Sequence, residues 1–137
     1  MASVASFPEV QIEALARLLG ECGSGPDISR VLHDRGLADN SGESTKWRRL
    51  YWLFLDIQKR HGCANLVVDF IGAYLTPARF VGRTQDFDAH RRDLNTILAF
   101  SGLEYGADGQ FRRVEVAATL DEAERRVLSI RSKFQNR

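Results

Sequence analysis

Apolar residues recur at helical spacing through most of the chain. In the first such segment, Phe7 to Cys22, the residues three and four positions apart are apolar and the residues between them are mostly polar. This pattern indicates an amphipathic helix. A second helix is expected to begin after Ser24, which can cap it with Asp27 in its first turn, and to end at Gly36. A polar loop from Asp39 to Glu43 follows.

The third predicted helix is the most informative one. We predict it over Lys46 to His61, capped by Ser44 or Thr45, with aromatic and aliphatic residues on most of its circumference. A helix that is apolar on nearly all sides is usually central and buried. The residues that we expect in the core, from this helix and from later ones, are Trp47, Leu50, Phe54, Phe70, Leu94 and Leu98.

Two more helices are predicted before the pattern changes. The fourth contains Val67 to Tyr74 and ends before Pro77, because a proline disfavours helical geometry in the residue that precedes it. The fifth contains Phe87 to Ser101, is capped near Thr84 or Asp86, and is closed by Gly102.

The C-terminal part combines a hairpin with a last helix. From Leu103 to Val116, two β-prone runs flank the dipeptide Asp108-Gly109, which is typical of a tight hairpin turn. Thr119 and Glu122 then have the spacing of a capping box, which predicts the start of a terminal helix. The apolar residues of this helix are spaced close to a heptad; they are Leu120, Ala123, Val127, Ile130 and Phe134. We expect this face to pack on the domain, with docking of a partner or homodimer formation as the alternative.

These elements predict a mainly α fold: a compact bundle of about six helices with one short β-hairpin near the C-terminus, forming a single domain over residues 1–137. The composition agrees, since 44% of the residues are hydrophobic and 27% are charged. The formal net charge is only +1, so any basic surface must arise from local clustering. Cys22 and Cys63 are expected to be free thiols. No signal peptide or membrane-length apolar run is present, so we expect a cytoplasmic protein without a membrane contact.

The histidines provide no recognisable catalytic or metal-binding motif. His33, His61 and His90 lie far apart and outside any metal-ligand spacing, so we predict no metal, no cofactor and no enzymatic activity. Arg83 precedes His90 at a spacing similar to the short ribonuclease motif of HEPN domains, in which the two residues would manage proton transfer and phosphate charge. Two aspartates lie between Arg83 and His90, and their negative charge is unfavourable for binding a phosphodiester. His90 also falls on or beside the apolar face of the predicted helix, so we do not favour a nuclease. A small metal-independent ribonuclease is therefore the weakest of the alternatives.

The basic residues are the best candidates for binding. Three of them open the third helix beside Trp47, and others surround the start of the fifth helix; cations next to aromatic rings suit phosphate and stacking contacts. The plainer interpretation is that they form the solvated rim of a buried helix, and the sequence does not decide whether they form one surface. The candidate binding residues are Lys46, Arg48, Arg49, Arg79 and Arg91.

A resemblance to a known family rests on several stretches in fixed order. The run Thr45-Lys-Trp-Arg-Arg-Leu50 is the first of them. The others are Gln58 with Gly62-Cys-Ala-Asn65, Phe70-Ile71, Thr76-Pro-Ala-Arg-Phe-Val-Gly82, Phe87 with Arg91, Leu94-Asn95, Leu98-Ala-Phe100, Gly102-Leu103, and Asp108-Gly109 with Thr119-Leu-Asp-Glu-Ala123. Together they resemble the N-terminal domain of bacterial abortive-infection J-type (AbiJ) proteins over nearly the whole chain.

This resemblance implies a function for the domain. In that family the N-terminal domain is compact and helical, commonly precedes a HEPN-type effector, and senses or recruits rather than catalyses. It implies a non-enzymatic sensing or adaptor domain in antiphage defence, with an effector domain or protein as partner. The chain ends at Arg137, where an effector would begin, so RNA cleavage is not carried over. His90 also replaces an expected apolar residue. The main alternative remains a nucleic-acid-binding module that uses the basic clusters.

Overall fold

In a computed structural model, the backbone is described for residues 2–135 and the side chains for residues 2–127. The described residues form six α-helices and one antiparallel hairpin, which confirms the predicted fold class. Their bounds are α1 (Glu9–Glu21), α2 (Gly25–Asp34), α3 (Lys46–His61), α4 (Asn65–Tyr74), α5 (Thr84–Leu98), β1 (Leu103–Tyr105), β2 (Phe111–Arg113) and α6 (Leu120–Gln135). Short 3-10 helices cover Pro77–Phe80 and Ala99–Ser101.

The chain divides into two compact units, Met1–Arg79 and Phe80–Arg137. In the first unit α1 packs along α3, and α4 contacts both α2 and α3. The buried side of α3 consists of Leu50, Leu53, Phe54 and Ile57, which follow the spacing of one helical stripe. Leu50, Phe54 and Phe70 are fully buried, as predicted.

A buried glutamine holds the N-terminal arm of this unit. The Gln58 side chain accepts a hydrogen bond from the Phe7 amide at 2.8 Å and donates one to the Phe7 carbonyl at 3.1 Å. The amide of Val4 likewise donates to the Asn65 side chain at 2.8 Å. Both Phe7 and Val4 are buried, so the polar atoms of the arm have partners inside the protein. The sequence pattern did not predict this role of Gln58.

The prediction that α3 is buried on nearly all sides, with Trp47 in the core, is wrong. Trp47 is half-buried, and Trp52 is 50% exposed. The reason lies at Gly20 of α1, where an added Cβ would meet the Trp47 Cβ and amide nitrogen at 3.2 Å. The two main chains meet directly at this crossing, so the Trp47 indole lies at its edge, with the Arg17 guanidinium 3.9 Å from the ring centroid.

In the second unit, the Asn95 side chain of α5 forms two hydrogen bonds with the backbone of β1, as a neighbouring strand would. Asn95 accepts a hydrogen bond from the Tyr105 amide at 2.7 Å and donates one to the Tyr105 carbonyl at 3.0 Å. Leu94 and Leu98 are fully buried, as predicted. Strand β2 ends earlier than the predicted Val116, because the Val114 amide bonds to the Gly102 carbonyl and the Ala117 amide to that of Ala99. The chain therefore leaves the ladder and follows the 3-10 helix.

The start of α6 has the predicted cap. The Glu122 amide donates to the Thr119 hydroxyl at 3.1 Å, and the Glu122 carboxylate accepts from the Ala118 amide at 3.1 Å, one residue before the usual position. Of the predicted apolar face, Ala123 and Val127 are buried, whereas Leu120, the first residue of α6, is 59% exposed. The side chains of Ile130 and Phe134 lie outside the described residues. Among the described residues, no helix is long and apolar enough to cross a membrane.

Candidate binding site

Two of the predicted binding residues, Lys46 and Arg79, cap the ends of other helices. The Lys46 Nζ donates to the Gly23 carbonyl at 3.0 Å, just after α1. Arg79 donates to the carbonyl of Cys22, at the end of α1, and to that of Tyr74, at the end of α4. The last carbonyls of a helix lack partners within the helix and carry partial negative charge. Arg79 therefore stabilises the C-terminal ends of α1 and α4, and Lys46 stabilises the turn that follows α1.

Gly23, in the turn after α1, has no space for a side chain. The Tyr74 hydroxyl donates to the Leu19 carbonyl at 2.9 Å, and a Cβ at Gly23 would lie 2.5 Å from that hydroxyl. Burial raises the pKa of Tyr74 to about 12, against a partial opposing effect of the Arg79 charge. The phenol thus stays protonated and keeps donating over the whole physiological range. Gly23 is therefore required for packing.

The third candidate, Arg49, forms an ion pair inside the unit. Its Nε lies 2.8 Å from Oδ2 of Asp39, and the two side chains are only 17% and 21% exposed. Its Nη2 also donates to the Ser29 hydroxyl at 3.2 Å. Burial alone would raise the pKa of Asp39, but hydrogen bonds from Arg49 and Ser41 outweigh it and hold that pKa below its ordinary value.

The remaining two candidates differ in exposure. Arg48 is exposed, with its guanidinium carbon 5.5 Å from the centroid of the Trp47 ring. Arg91, in the second unit, is only 12% exposed; it donates to the Tyr105 carbonyl at 3.2 Å and lies 3.6 Å from Asp88. Its guanidinium also packs 5.7 Å from the Phe87 ring centroid. A binding role for all five candidates stays a prediction.

Lys46, Arg49 and Arg79 do converge around one turn, but a carboxylate already lies there. Each of the three contacts or approaches residues 22–25, at the start of α2. There Asp27 accepts hydrogen bonds from the Ser24 amide at 2.8 Å and hydroxyl at 2.9 Å, which completes the predicted capping box. The Ser24 amide is the largest influence that lowers the pKa of Asp27. An external anion would have to compete with this internal one.

Arg83 and His90 contact the same buried ring. The Arg83 guanidinium lies 5.1 Å from the Phe80 centroid, and the His90 ring meets Phe80 edge-on at 5.7 Å. Arg83 is the residue that precedes α5, and His90 is half-buried within it. Packing on Phe80 is an ordinary structural explanation for both side chains. Within the described residues, no group of three or more His, Cys, Asp or Glu side chains could hold a metal ion.

A cleft beside α3 is the feature that the sequence analysis missed. Its volume is about 390 Å³, which lies in the range of small ligand sites. Trp52, 50% exposed, forms part of the wall, and the Tyr51 ring supports it edge-on at 5.1 Å. The lining residues are Ala38, Asn40, Ser41, Glu43, Trp52, Leu53, Asp56 and Arg60. We call this feature the Trp52 cleft.

The loop side of the Trp52 cleft is held in place by hydrogen bonds. Asp39 Oδ1 accepts from the Ser41 amide at 3.1 Å and from its hydroxyl at 2.7 Å, while Oδ2 pairs with Arg49. The Ser41 hydroxyl in turn accepts from the Glu43 amide at 3.2 Å. Arg49 therefore acts indirectly, by fixing one wall of the cleft from behind. On the helix side, Asp56 and Arg60 form an ion pair at 3.0 Å.

The sequence does contain a signal for this cleft. Trp52, Asp56 and Arg60 follow one another at intervals of four, so two charged residues share the face of the tryptophan. A face that carries charges is normally in contact with solvent.

Comparison of the chain with family models, with curated proteins and with solved structures finds no match.

Proposed function

We propose that this chain is a non-enzymatic sensing or adaptor domain of a bacterial antiphage, abortive-infection system. It couples a trigger to an effector by binding another protein. The observation that carries the proposal is the Trp52 cleft, in which a half-exposed indole lies among mostly polar lining residues. Exposed tryptophans in pockets are typical anchors of protein interfaces, because they bury a large apolar area at little entropic cost. The antiphage context rests on the resemblance to the AbiJ N-terminal domain.

The contacts of the basic residues favour this proposal over nucleic-acid binding. Binding to a phosphate backbone needs several cations that are free to replace counterions. Lys46, Arg49 and Arg79 instead donate to carbonyls and to Asp39 within their own unit. Using them for a phosphate would uncap helix ends or break a largely buried ion pair, which costs stability. Of the four candidates in the first unit this leaves Arg48, and one cation is too small a footprint for useful affinity.

Site-specific photo-crosslinking tests the proposal. A benzophenone amino acid replaces Trp52 in the complete protein, which is expressed in bacteria that are irradiated before and during phage infection. The control carries the same amino acid at Val10, an apolar residue of α1 that is 85% exposed. We expect a protein adduct of discrete mass from position 52 and none from position 10. Nucleic-acid adducts at position 52, equal labelling at both positions, or no adduct would contradict the proposal.

A further inference from the structure

The chemistry of the Trp52 cleft points to one class of occupant, and this inference rests on the proposed function. We propose that the cleft binds the guanidinium group of an arginine side chain that a protein partner presents. Two features carry the proposal: the half-exposed indole and an unused carboxylate in the same lining. Among the described side chains, none forms an ion pair with the Glu43 carboxylate.

The same unit already contains an arginine that contacts both a tryptophan ring and a carboxylate. The Arg17 guanidinium stacks on Trp47 with its carbon 3.9 Å from the ring centroid, and its Nε lies 3.6 Å from the Glu13 carboxylate. A planar cation thus contacts an indole face and a carboxylate together. The lining of the Trp52 cleft contains the same two residue types, Trp52 and Glu43, at a space of about 390 Å³. Among the described residues, Arg17 and Arg48 are the cations that lie over a tryptophan ring, and both lie over Trp47.

Charge favours a cation over an anion in this cleft. The charged lining residues are two carboxylates, Glu43 and Asp56, and one guanidinium, Arg60. That guanidinium is already committed, since Arg60 contacts the Asp56 carboxylate at 3.0 Å through Nη2 and at 3.3 Å through Nε. A phosphate would therefore meet net negative charge, whereas a guanidinium would gain an ion pair with Glu43 and a cation–π contact with Trp52. Arginine suits the site better than lysine, because its flat group can stack on the indole and pair with a carboxylate at once.

Indole signals in nuclear magnetic resonance provide the test. The chain has two tryptophans, so its ¹H–¹⁵N spectrum holds two indole signals, which Trp52→Phe assigns. The probe is Nα-acetyl-arginine amide, and the matched control is Nα-acetyl-citrulline amide, which has the same shape without the charge. We expect arginine to shift the Trp52 signal saturably while the Trp47 signal stays in place. We also expect citrulline to bind about fivefold more weakly, because it lacks the ion pair and the cation–π contact.

Two glutamine variants test whether Glu43 supplies the carboxylate that pairs with the guanidinium. Glu43→Gln should weaken arginine binding about fivefold, whereas Glu13→Gln, which removes the partner of Arg17, should leave it unchanged. Equal binding of arginine and citrulline, a Trp52 shift with adenosine monophosphate but not with arginine, or no Trp52 shift would each overturn the inference. Tighter binding of free L-arginine, which has the same net charge as the probe but presents an α-ammonium and an α-carboxylate, would identify a small metabolite rather than a side chain and would also overturn it. A protein crosslink from position 52 would still stand in all these cases, so the docking proposal and the arginine proposal fail separately.

Discussion

Replacement of Asp39 by asparagine tests how the wall of the Trp52 cleft is built. Asp39→Asn keeps the shape of the side chain but removes its charge. Its single carbonyl oxygen can accept either from Ser41 or from the Arg49 Nε, which lies 2.8 Å from Oδ2 of the carboxylate. A net hydrogen bond to a charged group contributes about 1.5–3 kcal/mol. Because both partners are about one-fifth exposed, water recovers part of this, and we expect a loss of about 2 kcal/mol in the free energy of unfolding.

The pH dependence of this loss follows from the pKa of Asp39. The folded protein holds that pKa below its ordinary value, so the carboxylate contributes stability at a pH above the unfolded pKa of about 4. This contribution is lost as the pH falls through 4 towards the lower folded pKa. The difference between wild type and Asp39→Asn should therefore be full at pH 7 and shrink below pH 4. Asp27, whose pKa is also lowered, contributes to the pH dependence of both proteins, so its contribution cancels when the free energy of unfolding of the variant is subtracted from that of wild type at each pH.

Urea denaturation at a series of pH values measures this difference, and thermal melting at pH 7 should show a decrease of about 8 °C in Tm. Asp34→Asn is the matched control, because Asp34 is an exposed aspartate near the end of α2 in the same unit. That variant should stay within about 0.5 kcal/mol of wild type. A loss below about 0.5 kcal/mol for Asp39→Asn at pH 7, or a loss equally large at pH 3, would refute the reasoning.

Two further predictions concern the core and the ribonuclease alternative. Phe54→Ala should cost about 3–5 kcal/mol in denaturation, whereas Trp47→Ala should cost about 1–2 kcal/mol, because only Phe54 is fully buried; equal losses would contradict this assignment. Incubation of the purified protein with labelled RNA should give no cleavage products, so Arg83→Ala and His90→Ala should change nothing; cleavage that disappears in His90→Ala would overturn the non-enzymatic reading.

Local patterns predicted the elements of the fold well, because their causes lie within a few residues. The α3 bounds Lys46–His61 were predicted as observed, and the Ser24–Asp27 capping box formed as its spacing indicated. The hairpin followed from Asp108-Gly109, since Gly109 adopts the positive φ of 79° that its turn requires. The two compact units were not predicted, and the single-domain expectation stays a prediction.

The failures concern which side of an element is covered, and this depends on distant parts of the chain. Trp47 lost its core position because Gly20, 27 positions earlier, lets two main chains meet. Lys46 and Arg79 are engaged by carbonyls at the ends of α1 and α4, contacts that no short pattern encodes. The Trp52 cleft likewise needs the loop at residues 38–43 to fold against α3. Residue types and spacing thus predicted the helices and the caps of α2 and α6. The predicted caps of α3 at Ser44 or Thr45 and of α5 at Thr84 or Asp86 are wrong, because no side chain caps either helix, and the partners of the basic residues were not predicted.

Protection of bacteria against phage tests the central claim most directly. The complete protein, expressed in a susceptible host with the effector that the proposal assigns to it, is compared with its Trp52→Ala and Val10→Ala variants at equal protein levels against a panel of phages. The claim is that the Trp52 cleft couples a trigger to an effector. It predicts that Trp52→Ala raises the plaque count to that of unprotected cells while Val10→Ala protects like wild type. Full protection by Trp52→Ala, or no protection by the wild-type protein against any phage of the panel, would contradict it.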